Sequence, residues 1–136
     1  MLCALLFIPI ASADSLSLID AEILFAGKEN TRLTDEGSQS LHNLTGMLEG
    51  LAGILSIRII GHTDDVGEEE INQRISQRRA DRIKRHFQVR FPKAHIMSLG
   101  AGESIPIASN HNIAGRARNQ RVQIQVIATG NIPGKD

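Results

Sequence analysis

The apolar run ILSIRII at residues 54–60 constrains the fold of this chain more than any other segment. Its isoleucines fall on both alternating faces, which is typical of a central strand buried on both sides. The polar segment GHTDDVG at 61–67 is bounded by glycines and predicts the loop that leaves this strand. Residues 68–90 contain no Gly or Pro and therefore predict a long helix, which Pro92 helps to end.

The remaining patterns complete a β-α-β-α-β-β order. SLSLIDAEILFAG at 15–27 predicts a first strand, and Thr34 followed by two acids predicts the start of a helix with leucines at 41, 44, 48 and 51. HIMSLG at 95–100 and the alternating QRVQIQVIA at 120–128 predict two further strands, with a polar turn at 110–119. Since each helix links two strands, we expect an α/β sandwich, a small mixed sheet with both helices on one face.

The two ends of the chain differ in composition from the middle. An apolar run at 2–10 is followed by Ala-Ser-Ala at 11–13, the small-x-small pattern of an export signal's cleavage site. Residues 1–13 are therefore either a short or truncated export signal or a strand or helix packed on the domain. We assign 14–130 to one domain and 131–136 to a C-terminal tail, while the means of attachment to a membrane stays open.

The charge balance argues against a general attraction to nucleic acid. The chain of 136 residues has 15 basic and 15 acidic side chains, so no net field draws it to phosphate backbones. The helix at 68–90 nevertheless concentrates basic residues, and it keeps a nucleic-acid-binding alternative open. That alternative depends on Arg74, Arg78 and Arg85, which the helical periodicity places on the solvent face.

Arg79 differs from its neighbour Arg78 in the direction that the helix gives it. At about 100° per residue, Arg79 falls between Ile75 and Ile83 on the apolar side, whereas Arg78 points to water. A guanidinium that faces inward needs an anion or an acceptor. Two interpretations stay open: an internal salt bridge with Asp64 or Asp65, and a cleft in which Arg79 binds a ligand carboxylate or phosphate.

Other chemistries find little support in the sequence. His62 and Asp64 are separated by one residue, but no third ligand accompanies them, so we expect no metal and no cofactor. Adjacent Asp64 and Asp65 do not form a catalytic pair, and no nucleophile motif is present, so we expect no enzymatic activity.

Several spaced motifs together resemble the OmpA-like peptidoglycan-binding domain, which is shared by OmpA, peptidoglycan-associated lipoproteins and MotB. The motifs are GHTDDVG at 61, NQRISQRRA at 72, GAGES-IP at 100 and N-x-N-x-x-GRARNQRV from 110. The resemblance implies an α/β domain in the periplasm, associated with the cell wall and the outer membrane. It implies non-covalent binding of the peptidoglycan peptide stem through diaminopimelate, and envelope proteins as further partners. The alternative is a structural envelope domain that binds a partner protein and has an internal Asp64–Arg79 bridge.

The resemblance also implies the residues of the site. By motif position, Asp64 and Arg79 grip the ammonium and the carboxylate at one end of diaminopimelate. Two departures from the family pattern are Asn112, where threonine is common, and Gln120, where arginine is usual. The further residues implied at or beside the ligand are Asn72, Thr63, Ile75, Ser76 and Arg116.

Overall fold

The computed structural model describes the backbone of residues 6–10, 16–27 and 31–129. Its elements in chain order are β1 Leu6–Ile10, β2 Leu16–Leu24, α1 Asp35–Glu49, β3 Gly53–Gly61, α2 Glu69–Arg90, β4 His95–Gly100, α3 Ile113–Asn119 and β5 Arg121–Thr129. The strands form one sheet in the order β1-β2-β5-β3-β4. Strands β3 and β4 are parallel, and the other neighbours are antiparallel, so the predicted mixed sheet is confirmed.

Both long helices cover the same face of the sheet, as predicted. Apolar side chains of β2, β3 and β5 alternate toward this face and form one continuous core with α1 and α2. The members of this core are Ile19, Ala21, Ile23, Phe25, Leu41, Leu44, Leu48, Ile57, Ile59, Ala80, Ile83, Phe87, Val122, Ile124, Val126 and Ala128. The alternation confirms that β5 has one buried face and one face that is open to water.

Helix α1 begins where the sequence predicts. The Thr34 hydroxyl accepts a hydrogen bond from the Gly37 backbone N–H at 2.8 Å, and Asp35 and Glu36 occupy the first turn. Acidic side chains at this end interact favourably with the helix dipole. None of the helices in the described part of the chain is both long and apolar enough to span a membrane.

Two elements depart from the predicted order. The segment 110–119, predicted as a polar turn, contains the short helix α3, whose N-terminus is capped by the Asn112 side chain accepting from Gly115 N at 2.7 Å. This helix could not be recognised from hydrophobic periodicity, because its seven residues include a glycine and form no apolar stripe. Strand β1 pairs with β2 in antiparallel register, which is the packed alternative for the start of the chain. The export hypothesis for residues 1–13 stays a prediction, and the tail at 131–136 lies outside the described residues.

The side of α2 that was predicted to face water is partly covered. Gln77 accepts a hydrogen bond from Gly100 N at 2.8 Å, and Asp81 accepts one from the Ser98 hydroxyl at 2.6 Å. Ile71 lies on the apolar side of the helical wheel, yet it is 42% exposed. The wheel fails here because it contains no information about neighbouring elements such as β4, which contacts the side of α2 that carries Gln77 and Asp81.

Candidate functional site

The loop between β3 and α2 is fixed by the chain on both sides of it. The His62 backbone N–H donates to the Arg121 carbonyl at 2.9 Å, and the Thr63 N–H donates to the Gly102 carbonyl at 2.9 Å. Within the loop, the Asp64 carboxylate accepts from Val66 N at 3.0 Å. These bonds attach the loop to β5 and to the loop after β4, so its side chains have defined positions.

Gly61 brings this loop against α2. A Cβ atom at Gly61 would lie 2.0 Å from the Ser76 carbonyl oxygen, a distance that no side chain allows. The end of β3 therefore touches the backbone of α2 only because residue 61 is glycine. This close approach places the loop at 62–67 over the first turns of the helix.

Asn72 and Ser76 connect the helix to two loops. The buried Asn72 side-chain amide donates to the carbonyl oxygens of Asp64 and Val66, each at 3.3 Å, and to the Glu103 carboxylate at 2.5 Å. The Ser76 hydroxyl donates to the Gln73 carbonyl within the helix at 2.8 Å. It also accepts from Gly102 N at 2.9 Å, so helix α2 organises both loops at this corner.

Arg79 is fully buried beneath this corner. Its guanidinium donates to the His62 carbonyl at 3.2 Å, to the Gly27 carbonyl at 2.5 Å and to the Gln120 side-chain oxygen. The guanidinium carbon also lies 5.2 Å from the centre of the Phe25 ring, within the range of a cation–π contact. The prediction that Arg79 faces inward while Arg78 is exposed is confirmed.

The positive charge of Arg79 is destabilised by this burial. Loss of hydration lowers the pKa of Arg79 from its ordinary value to about 10, and the Asp64 charge opposes the decrease. Arg79 therefore remains protonated at neutral pH, and Asp64, itself buried, is its anionic neighbour. This electrostatic coupling is compatible with an internal ion pair and with a paired site for a ligand that carries both charges.

His62 is buried beside the same corner but does not resemble a metal ligand or a base. Burial and the nearby charge of Arg121 lower its pKa from 6.5 to about 4, while the Gln123 side chain acts in the opposite direction. Neither ring nitrogen has a hydrogen bond of good geometry to any residue that the structure describes. Across the described residues no three His, Cys, Asp or Glu side chains come together in a way that suits a metal ion.

The other residues implied at the site lie around Asp64 and Arg79. The buried Thr63 hydroxyl donates to the Asp64 carbonyl at 2.9 Å, and Ile75 is 8% exposed on the helix. Arg116 lies on α3 and donates to the Asn110 carbonyl at 3.0 Å. The motifs therefore place Thr63, Asn72 and Ser76 in direct contact with the loops of the corner, whereas Arg116 contacts the segment before α3.

Three contacts of the corner were not foreseen from the sequence. The Gly27 carbonyl and the Phe25 ring both contact Arg79 from the segment that follows β2, and Glu103 accepts from Asn72. Glu103 belongs to the GAGES motif, which is recognisable in the sequence, but the sequence did not show that its carboxylate accepts from Asn72. No sequence signal identifies a backbone carbonyl as an acceptor, because every residue has one.

The two departures from the family pattern have structural roles. Gln120 is buried and accepts from Arg79, so a neutral acceptor stands where an arginine would bring a second positive charge. Asn112 caps α3 through its side-chain oxygen. A threonine hydroxyl would serve the same purpose at a helix N-terminus, which explains how either residue is accommodated there.

These features define a small α/β domain with a buried polar corner at the end of strand β3, which lies between β5 and the edge strand β4. The match to a family model agrees: residues 25–120 match the OmpA family, and the chain belongs to that family. The fold, the motif order and the family thus agree with one another.

Individual relatives place the chain in the cell envelope. It is 36% identical over 111 residues to the outer-membrane lipoprotein YfiB of Pseudomonas aeruginosa, covering 81% of this chain and 65% of that protein. It is 41% identical over 71 residues to the peptidoglycan-binding protein ArfA of Mycobacterium bovis, covering 52% of this chain and 22% of that protein. The chain therefore spans about two thirds or less of these relatives.

A solved structure shows the same fold. The peptidoglycan-associated lipoprotein from Burkholderia pseudomallei superposes with a TM-score of 0.65 at 24% identity, over 77% of this chain and 88% of that one. Relatives of this chain at 32–36% identity are outer-membrane proteins, which confirms the predicted location in the cell envelope.

Proposed function

We propose that this domain binds peptidoglycan non-covalently through the diaminopimelate of the peptide stem, without catalysing a reaction, and so attaches an envelope component to the cell wall. Support comes from the family and from one observation above all. A fully buried arginine donates to neutral acceptors at the end of strand β3, with the charge of Asp64 beside it. Such a site is suited to a ligand that brings its own carboxylate.

The end of diaminopimelate carries an ammonium and a carboxylate on one carbon atom. Asp64 would accept the ammonium, and the planar guanidinium of Arg79 would take the carboxylate through two parallel hydrogen bonds. Burial lowers the pKa of Arg79 and so destabilises its charged form. An incoming carboxylate would stabilise that positive charge.

The contacts of Arg79 indicate how the ligand would enter. One amino group of the guanidinium donates to the Gly27 carbonyl, and Phe25 lies against the same group. A carboxylate would replace the Gly27 carbonyl as the acceptor, while the bond to His62 O keeps the guanidinium oriented from below. Gln120, which accepts from the same amino group as the His62 carbonyl, would remain a neutral acceptor.

Retention on purified diaminopimelate-type peptidoglycan tests the proposal. We expect Asp64→Asn and Arg79→Ala to weaken retention by at least about tenfold, because each leaves one ligand charge unpaired. The neighbouring exposed residues provide matched controls, and Asp65→Asn and Arg78→Ala should bind like the wild type. Wild-type binding by Asp64→Asn, with the fold verified by circular dichroism, would contradict the assignment of the site.

Competition distinguishes the ligand. Free diaminopimelate should displace the domain from peptidoglycan, whereas cadaverine, which has the two ammonium groups but neither carboxylate, should displace it much less. Equal competition by both compounds would mean that the domain does not recognise the carboxylate of diaminopimelate. Retention on nucleic acid that depends on Arg74 and Arg85, and that falls steeply as the salt concentration rises, would instead favour a surface on α2 that binds the phosphate backbone.

A further inference from the structure

The groove between α1 and α2 contains a second polar cleft. It has a volume of about 410 Å³, which lies within the ordinary range for a small-molecule site. It shares no residue with the corner around Arg79. Its lining includes Leu33, Leu41, Thr45, Arg82, His86 and Arg90.

The polar groups on one wall of the cleft are fixed by a chain of hydrogen bonds. An arginine only donates, so the contact of 3.2 Å between Arg90 and His86 Nδ1 makes that nitrogen the acceptor. The proton of the neutral ring is then on Nε2, which donates to the Thr45 hydroxyl at 2.9 Å. The hydroxyl in turn donates to the Leu41 carbonyl at 2.7 Å, so this wall is rigid.

The charges of the cleft favour an anion. Burial and Arg90 lower the pKa of His86, with Glu49 acting in the opposite direction, so the ring is neutral at pH 7. Glu49 lies 4.0 Å from Arg90 and partly neutralises it. Arg82 then supplies an uncompensated positive charge on the lining of the cleft.

Arg82 is the residue that points to a ligand. Its side chain is half-buried, yet no residue in the described part of the chain accepts a hydrogen bond from its guanidinium or forms an ion pair with it. A guanidinium without such a partner has a free fork of donors. The apolar side chains of Leu33 and Leu41 line the same cleft.

We propose that the α1–α2 cleft binds a small organic oxyanion, with a phosphate or carboxylate group on Arg82 and an apolar body against Leu33 and Leu41. The two oxyanions share the same chemistry, since both accept parallel hydrogen bonds from a guanidinium. The site is independent of the peptidoglycan site proposed above.

Titration of the full chain with phenyl phosphate and with benzoate, followed by backbone amide chemical shifts and calorimetry, tests this site. We expect saturable binding of one or both, with shifts at residues of the cleft, and the preferred probe identifies the anion. Arg82→Gln should weaken binding by about tenfold, the loss typical of a charge-assisted hydrogen bond. Arg78→Gln, which removes the same charge from the exposed side of α2, should leave it unchanged.

Retention on peptidoglycan separates the two sites. Arg82→Gln should retain wild-type binding to peptidoglycan, which also shows that the variant is folded. The proposal is overturned if neither probe binds saturably at millimolar concentration. It is equally overturned if Arg78→Gln and Arg82→Gln weaken binding to the same extent, because the helix would then act as a diffuse positive surface.

Discussion

Helix α2 buries one continuous stripe, but its two halves do so with opposite chemistry. The N-terminal half buries the polar side chains of Asn72, Ser76 and Arg79 beside Ile75, whereas the C-terminal half buries only the apolar Ala80, Ile83 and Phe87. Ile75 is 8% exposed, and the other six are at most 1% exposed. The first half therefore forms hydrogen bonds to loops, while the second half packs against the sheet and α1.

The difference shows how one helix separates stability from binding geometry. Burial of apolar surface is non-directional and contributes in proportion to the area removed from water. Buried hydrogen bonds contribute less net stability, but they allow only one arrangement of the groups that form them. We expect changes in the C-terminal half to affect mainly the free energy of unfolding, and changes in the N-terminal half to affect mainly ligand binding.

The largest expected effect on stability is in the apolar half. Phe87 is fully buried and lies 6.1 Å from Phe91, measured between ring centres. We expect Phe87→Ala to lower the free energy of unfolding by about 3–5 kcal/mol because it leaves a cavity in the core. Chemical denaturation measures this loss, and Val89→Ala at an 81% exposed position of the same helix is the control. The folded molecules of this variant should still bind peptidoglycan. If the variant were fully folded and did not bind, the C-terminal half of α2 would also govern ligand binding, which contradicts the expected division between the two halves.

The second effect is a dependence of stability on pH at the polar corner. The pKa of His62 in the folded chain is about 4, below its ordinary value of 6.5, so the unfolded chain binds this proton more readily. The free energy of unfolding should therefore fall as the pH decreases from 6.5 to 4, by up to about 3 kcal/mol. Denaturation at several pH values measures this change.

The contribution of His62 is the difference between the wild type and His62→Gln. The variant should lose less stability than the wild type over this range, since glutamine does not titrate. His111→Gln, at an exposed position on a loop, is the matched control and should follow the wild type. Identical pH profiles for the wild type and His62→Gln would show that His62 is not a buried neutral histidine.

The smallest effect on stability is expected at Asn72, where the effect on binding should be larger. Asn72→Ala removes the amide that holds the Asp64 and Val66 carbonyls, and we expect a loss of about 1–3 kcal/mol in the free energy of unfolding. Because the loop that carries Asp64 is then less fixed, retention on peptidoglycan should also fall. Gln88→Ala, on an exposed turn of the same helix, is the control. If Asn72→Ala lost as much stability as Phe87→Ala and kept its retention on peptidoglycan, the N-terminal half of α2 would serve mainly stability, contrary to the expectation.

Much of the fold was predictable because its long elements carry strong patterns. The leucines of α1 and the alternation in β5 follow from periodicity, and both elements occur where the pattern predicts them. The short helix α3 was missed because its seven residues carry no such period. The pairing of β1 with β2 was open because an apolar segment at the start of a chain fits several structures.

The direction of Arg79 was determined by the sequence alone, since a helix places residues three and four positions apart on one face. What surrounds Arg79 was decided only by the tertiary structure. The Gly27 carbonyl, the Phe25 ring and the Gln120 side chain come from segments far apart along the chain. Local sequence governs the periodicity of a helix, whereas the contacts of a buried charge depend on how distant segments meet around it.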